Sequence, residues 1–120
     1  HDVAELHPDD VDICVVGTAG RKITILGQDF SKTLNPTMDT LVLRSHLIQT
    51  MEGLEDFTHL TTLELYDNMV NELKCLEECG RYLKVLDMSY NVVRDLAPVS
   101  VCENLTELYI ANNKLKEITG

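Results

Sequence analysis

From Met38 onward, apolar residues recur with a spacing that fits neither the two-residue alternation of a lone strand nor the 3.6-residue period of a long helix. With Met38 as position 1, apolar side chains stand at positions 1, 4, 6, 11, 14, 17 and 20 of each unit, and a polar residue stands at position 9. The first copy reads Met38, Leu41, Leu43, His46, Ile48, Met51, Leu54 and Phe57. The second reads Leu60, Leu63, Leu65, Asn68, Val70, Leu73, Leu76 and Cys79, and the third Leu83, Leu86, Met88, Asn91, Val93, Leu96, Val99 and Cys102. A fourth begins with Leu105, Leu108, Ile110, Asn113, Leu115 and Ile118. Successive copies start 22, 23 and 22 residues apart, and the turn Gly80-Arg81-Tyr82 is the expected home of the extra residue. Such a period marks an array of stacked units, none of which can bury its apolar face alone.

The pattern predicts one element per half-unit. Positions 4 and 6 point inward from a short strand that pairs with the strands of neighbouring copies, building one parallel sheet. Positions 11 to 20 form 3-10 or irregular helical turns on the opposite side. The expected fold class is therefore α/β: a solenoid with short parallel β-strands on its concave face and helical turns on its convex face. The asparagine at position 9 stands where the chain leaves the strand, and its amide can donate and accept, satisfying backbone groups that the turn would otherwise strand inside. His46 replaces it in the first copy, where a neutral imidazole makes two of those bonds.

The first 37 residues do not carry this pattern. Residues 1–10, with His7-Pro8-Asp9-Asp10, have no apolar periodicity and are expected to be a mobile lead-in. Residues 11–37 read as an N-terminal cap or degenerate first repeat, because an array needs its first edge covered. Within it, Val11, Ile13 and Val15 alternate, Gly17-Thr18-Ala19-Gly20 makes a turn, and Ile23, Ile25 and Leu26 follow, which predicts two short strands. Phe30, Leu34 and Met38 have the spacing of a helical turn, interrupted at Asn35-Pro36. Residues 38–120 are the repeats, about four in number; the fourth lacks its convex half, so the array is expected to extend past Gly120.

Charge and candidate chemistry narrow the function. Twenty acidic residues against ten basic ones give a net charge of −10, which repels phosphate backbones and excludes nucleic acid as a partner. It favours encounter with basic protein surfaces. No apolar run approaches the roughly 20 residues of a membrane span, and His1 to Asp12 is acidic and polar, unlike a signal peptide. Cys14, Cys75, Cys79 and Cys102 form no Cys-x-x-Cys pair. Cys75 and Cys79 are one helical turn apart, but zinc needs two further ligands. They read as reduced apolar fillers of an intracellular protein, with no metal and no cofactor. Gly17-Thr-Ala-Gly20-Arg21-Lys22 lacks the Gly-Lys-Ser/Thr ending of a phosphate loop. Asn104-Leu105-Thr106 matches a glycosylation sequon by chance, since Leu105 is a core position. No Ser/His/Asp or Cys/His set lies in register, so no enzyme is expected.

If positions 4 and 6 face inward, positions 3, 5, 7 and 8 face the concave surface. That surface then carries Thr40, Val42, Arg44 and Ser45 from the first copy, and Thr62, Glu64, Tyr66 and Asp67 from the second. The third adds Val85, Asp87, Ser89 and Tyr90, and the fourth Glu107, Tyr109, Ala111 and Asn112. Tyrosine contributes area and a hydrogen bond at low entropic cost, which suits protein interfaces. The candidate partner-binding residues are Glu64, Tyr66, Asp67, Asp87, Tyr90, Glu107 and Tyr109. Open-face carboxylates of this kind do not exclude water, as acid–base catalysis requires.

The repeats, with Asn at position 9 and a 22-residue period, resemble the short class of intracellular leucine-rich repeats. More narrowly, Leu41-Val-Leu-Arg44-Ser-His-Leu-Ile48, then Leu63-Glu-Leu-Tyr66-Asp67-Asn68 and Leu86-Asp87-Met88-Ser89-Tyr90-Asn91, resemble the regulatory subunit 7 family of type 1 protein phosphatase (protein phosphatase 1). The likeness runs from about Leu41 to Gly120. It implies a non-catalytic regulator of nucleus and cytoplasm that binds the phosphatase catalytic subunit through position-5 residues, matched here by Asp87 and Tyr109. His46, the extra residue near Gly80 and the missing later repeats depart from that family. The 23-residue second copy is also similar to the axonemal dynein leucine-rich light chain, which implies a cilium or flagellum. A secreted recognition module is the reading from a different class.

Overall fold

Three-residue strands laid side by side in chain order form the described sheet. They are β1 (Glu5–Leu6, two residues), β2 (Ile13–Val15), β3 (Thr40–Val42), β4 (Thr62–Glu64), β5 (Val85–Asp87) and β6 (Glu107–Tyr109). The structure is a computed structural model that describes residues 5–6, 13–15 and 35–115. The expected turn at Gly17–Gly20, the strand around Ile23–Leu26, the spacing of Phe30 and Leu34, and Ile118 lie outside the described residues. β1 pairs antiparallel with β2, and every later neighbour is parallel.

The register is the repeat made visible. Cys14, Leu41, Leu63, Leu86 and Leu108 are Cα partners in one row, all at position 4. β2 thus stands where the strand of a preceding copy would stand. Glu5–Leu6 fall inside the stretch expected to be a mobile lead-in, yet they pair with Val15 and Cys14. The physical reason is that β2 otherwise presents an unpaired edge of backbone donors and acceptors.

Each of β3, β4 and β5 buries its position-4 leucine between two half-buried neighbours. Thr40, Thr62 and Val85 at position 3 are β-branched and suit the pleated surface. The ladder runs on beyond the strands. The Leu43, Leu65 and Met88 amides donate to the Glu64, Asp87 and Tyr109 carbonyls of the next copy at 2.8, 2.8 and 2.7 Å. Further on, the Met69, Val92 and Lys114 amides donate to the Ile48, Val70 and Val93 carbonyls of the preceding copy at 2.8, 3.0 and 2.9 Å.

Between those two ladders lies a row of asparagines, Asn68 and Asn91 buried and Asn113 half-buried. Asn91 Nδ2 donates to the carbonyls of Met88 and Ser89 in its own copy, at 3.0 and 3.2 Å, and to Leu65 of the preceding copy at 2.8 Å. Its Oδ1 accepts from the Val70 amide of the preceding copy at 2.9 Å. Asn68 repeats the arrangement with Leu43, Leu65, Tyr66 and Ile48, and Asn113 with Met88, Ile110, Ala111 and Val93. The side chain therefore does more than satisfy its own turn: it joins one copy to the one before. His46 is buried in the equivalent slot of the first copy.

The apolar slots of the first three copies are buried, except Leu96 and Val99, which are half-buried against the core. Leu105 and Leu108 of the fourth copy are also half-buried against it. The convex side differs from copy to copy. The first copy crosses it in turns, the second in a one-turn helix, α1 (Leu76–Cys79), and the third in a 3-10 helix (Ala97–Val101) that begins beside Pro98. The extra residue of the second copy lies after α1: Gly80, Arg81 and Tyr82 separate Cys79 from Leu83, where the other copies have two residues between the equivalent positions. Gly80 ends α1 at φ −91°, so its backbone does not require glycine; space does. A Cβ there would lie 2.5 Å from the Leu76 oxygen and 2.7 Å from Cys102 Sγ of the next copy.

Replacing Asn91 with Ala leaves three carbonyls and one amide without these partners, at a cost of about 1–3 kcal/mol for each that stays dry. Urea unfolding is expected to show Asn91→Ala losing roughly 2–4 kcal/mol. Asn113→Ala, at a half-buried site where water replaces part of the network, should lose clearly less. Equal losses would contradict the account.

Candidate protein-binding face

The columns at positions 3, 5, 7 and 8 are brought together by the sheet register, and the charged and aromatic side chains in them are held by specific partners. At position 5, Val42, Glu64, Asp87 and Tyr109 are successive Cα partners. Arg44 Nε donates to Glu64 Oε1 at 2.6 Å across the first two copies. That bond and the attraction of the carboxylate raise the arginine's already high pKa. Ser45 Oγ donates to Asp67 Oδ2 at 2.9 Å. Tyr109 Oη donates to Glu107 Oε1 at 2.5 Å, which raises the phenol's pKa because ionisation would break the bond beside a negative charge. Tyr66 and Tyr90 pack ring against ring, 5.2 Å between centroids and tilted by 60°, close to the edge-to-face geometry favoured by aromatic quadrupoles.

Seven sequence-predicted residues thus lie on one face, but not in one cluster. Glu64, Asp87, Glu107 and Tyr109 belong to the strands. Tyr66, Asp67 and Tyr90 stand beyond them, where the chain turns toward the asparagine row. Ser89, expected on the same surface, is instead buried: its amide folds back onto Asp87 Oδ1 at 2.9 Å, and its carbonyl takes the Asp67 amide at 3.0 Å.

Position 8 has a property that residue type does not announce. Ser45, Asp67, Tyr90 and Asn112 all adopt positive φ, from 57° to 60°. The chain must reverse there so that position 9 can enter the core. Asp and Asn tolerate this left-handed region, whereas a bulky residue pays roughly 1–2 kcal/mol. Tyr90 is the bulky one.

A second surface row was not anticipated. Leu47 and Met69, at position 10, are 43% and 46% exposed, and Val92 continues the row half-buried. The signal was present as adjacent apolar pairs: Leu47-Ile48, Met69-Val70 and Val92-Val93. Neighbours in an extended stretch point to opposite sides, so when Ile48, Val70 and Val93 enter the core, their predecessors cannot. Val92 also lines an open groove of about 610 Å³ with Leu73 and Pro98, rimmed by charges of both signs, Arg94 and Lys114 with Glu72 and Asp95.

On the convex side, Cys75 and Cys79 do not share a helical face: Cys75 caps α1 in a left-handed conformation, φ 65°. Its Sγ donates to the Met51 carbonyl at 3.0 Å. Burial, with Glu55 nearby, pushes the Cys75 thiol up to about 11, and burial pushes Cys79 up to about 12 and raises Cys102 as well. Among the described residues, no three His, Cys, Asp or Glu side chains are grouped to hold a metal ion. Asn104 of the sequon has its Nδ2 on the Arg81 carbonyl at 2.9 Å.

A raised thiol pKa favours the protonated, unreactive form in the folded state. At pH near 8, iodoacetamide should modify Cys75 about a hundredfold more slowly in the folded chain than in urea, where the pKa returns to roughly 8.5. By the same linkage, the thiols contribute no penalty below that pH, and stability falls as pH rises from about 9 toward 11. Peptide mass spectrometry of timed reactions reads the rates; rapid labelling of Cys79 in the folded chain would contradict the burial described.

Comparison with known proteins agrees with this geometry. The family model described as Leucine Rich repeats (2 copies) matches residues 83–120. The 187-kDa microtubule-associated protein AIR9 of Arabidopsis thaliana is 32% identical over 87 residues, covering 71% of this chain and 5% of that protein. Leucine-rich repeat-containing protein 23 of Bos taurus is 32% identical over 68 residues, 57% of this chain and 20% of its own length. The chain therefore spans a fifth or less of these curated relatives. Among solved structures, an internalin (inlF) of Listeria monocytogenes superposes with a TM-score of 0.70 over 86% of this chain and 30% of its own, at 22% identity. Repeats of this kind are in general non-catalytic modules that bind other proteins. The chain carries leucine-rich repeats, and its fold is the leucine-rich-repeat solenoid.

Proposed function

We propose that this chain is a non-catalytic scaffold whose concave face binds the catalytic subunit of a type 1 serine/threonine protein phosphatase, as a regulatory subunit of nucleus and cytoplasm. The observation that carries the protein-binding part is the position-5 column. Glu64, Asp87 and Tyr109 stand in register on consecutive strands, with the tilted ring pair of Tyr66 and Tyr90 beyond them. Fixed carboxylates and tyrosines lose little freedom on binding, which is where interface affinity is usually dissipated. The choice of phosphatase rests on the likeness of Leu41–Ile48, Leu63–Asn68 and Leu86–Asn91 to its regulatory subunit 7.

Two observations favour a second reading, an axonemal dynein leucine-rich light chain-like module of cilium or flagellum. The second copy has the 23-residue period of that family, and one relative bears the name of a microtubule-associated protein.

Co-purification with the phosphatase catalytic subunit tests the first reading. Asp87→Lys combined with Tyr109→Ala should weaken binding by about tenfold or more, as loss of interface anchors does. If the wild-type chain binds and the double variant binds equally well, the column is not the contact. If the wild type instead co-sediments with microtubules or dynein and ignores the phosphatase, the second reading replaces the first.

A further inference from the structure

Leu47, Met69 and Val92 form a row that the fold holds rigidly. The Met69 and Val92 amides are each bonded to the preceding copy, so the row advances in steps of roughly 5 Å. Tyr90 at position 8, with Tyr66 packed against it, adjoins the row through its backbone. The Tyr90 carbonyl accepts the Asn68 amide at 3.2 Å, which places Tyr90 beside the Asn68–Met69 segment. The strip ends at the fourth copy, where Lys114 takes position 10.

Three features point to a ligand. Large apolar side chains are exposed in consecutive copies at one position, where a solvated row would carry polar residues. Tyr90 is held in a left-handed backbone at a position that elsewhere carries Ser, Asp or Asn, and such strain concentrates at binding sites. The concave side of the strip carries Glu64, Asp67, Asp87 and Glu107, with Arg44 the one basic residue of those columns and already bonded to Glu64.

We propose that this strip docks a short extended segment of a protein partner, with apolar side chains seated on Leu47, Met69, Val92 and Tyr90 and Lys or Arg side chains turned toward Asp67 and Asp87. From Leu47 to Val92 is about 10 Å, the length of roughly three extended residues. A second copy of this chain is the poorer occupant, because each copy carries a net charge of −10 and would bring its acidic columns against the other's. The proposal rests on the protein-binding reading above, extends that face by the apolar row at position 10, and does not depend on the partner being the phosphatase.

The probe is a phage-displayed library of random dodecapeptides selected on the full chain. Enriched peptides are then synthesised with a fluorophore and titrated by anisotropy. Those peptides should combine Lys or Arg with two or more apolar residues. Met69→Asp, and separately Tyr90→Asn, which suits the left-handed backbone, should each weaken them about tenfold or more, with unchanged thermal unfolding. Binding should survive about 0.5 M salt, where the Debye length is near 4 Å and charge attraction alone fails. Failure to enrich, enrichment of acidic peptides, loss of all binding at high salt, or full affinity in the Met69→Asp and Tyr90→Asn chains overturns the proposal. Loss only in the Asp87→Lys, Tyr109→Ala chain overturns the strip while leaving the concave-face reading standing. A dimer in sedimentation that Met69→Asp disperses would name a second copy as the occupant and overturn it too.

Discussion

A buried row of asparagine side chains holds one leucine-rich-repeat copy to the next, and the rest of the architecture depends on it. At position 9 the chain turns its polar backbone inward, into a region closed to water. Asn68, Asn91 and Asn113 each supply one acceptor and two donors there, with bonds that cross to the preceding copy. An unsatisfied buried backbone group costs about 1–3 kcal/mol, so copies that failed to stack would be penalised repeatedly along the row. The apolar slots supply the driving force for stacking; the asparagines fix its register.

That register creates the proposed binding face. Because Leu63, Leu86 and Leu108 are Cα partners, Glu64, Asp87 and Tyr109 must be partners too. A column of unrelated residues is thereby assembled from segments about 22 residues apart, with no local structure of its own. The same constraint forces position 8 into a left-handed conformation and lifts position 10 out of the core. Concave columns and flank are two consequences of one inward turn.

The parts legible in the sequence are those where burial selects residue type. Leu63, Leu86 and their equivalents could be only apolar, and Asn91 only a small amide, so their spacing named the sheet and its order. Other features are set by backbone geometry shared among copies and leave no mark on the residue. Tyr90 looks like an ordinary exposed tyrosine until its φ is seen, and Ser89 looks like a surface serine although the turn buries it. Met69 was legible in principle, through its neighbour Val70, because two adjacent residues in an extended chain cannot both be inside. That the second copy uses an α turn where the third uses a 3-10 helix left no mark on the spacing, because Leu76–Cys79 and Val99–Cys102 are both three residues apart. β1 was missed because two residues carry no period; the bare edge of β2 recruits them.

The central claim is that partner recognition belongs to residues between the buried letters, on the concave side. Site-specific photocrosslinking tests it most directly, with a benzophenone amino acid placed in turn at Tyr66, Tyr109 and Tyr82. Tyr82 is 52% exposed and belongs to the turn after α1, so it controls for exposure alone. With the proposed partner, the phosphatase catalytic subunit, the account predicts crosslinks from positions 66 and 109 and none from position 82. Crosslinking from position 82, with silence at 66 and 109, would contradict it.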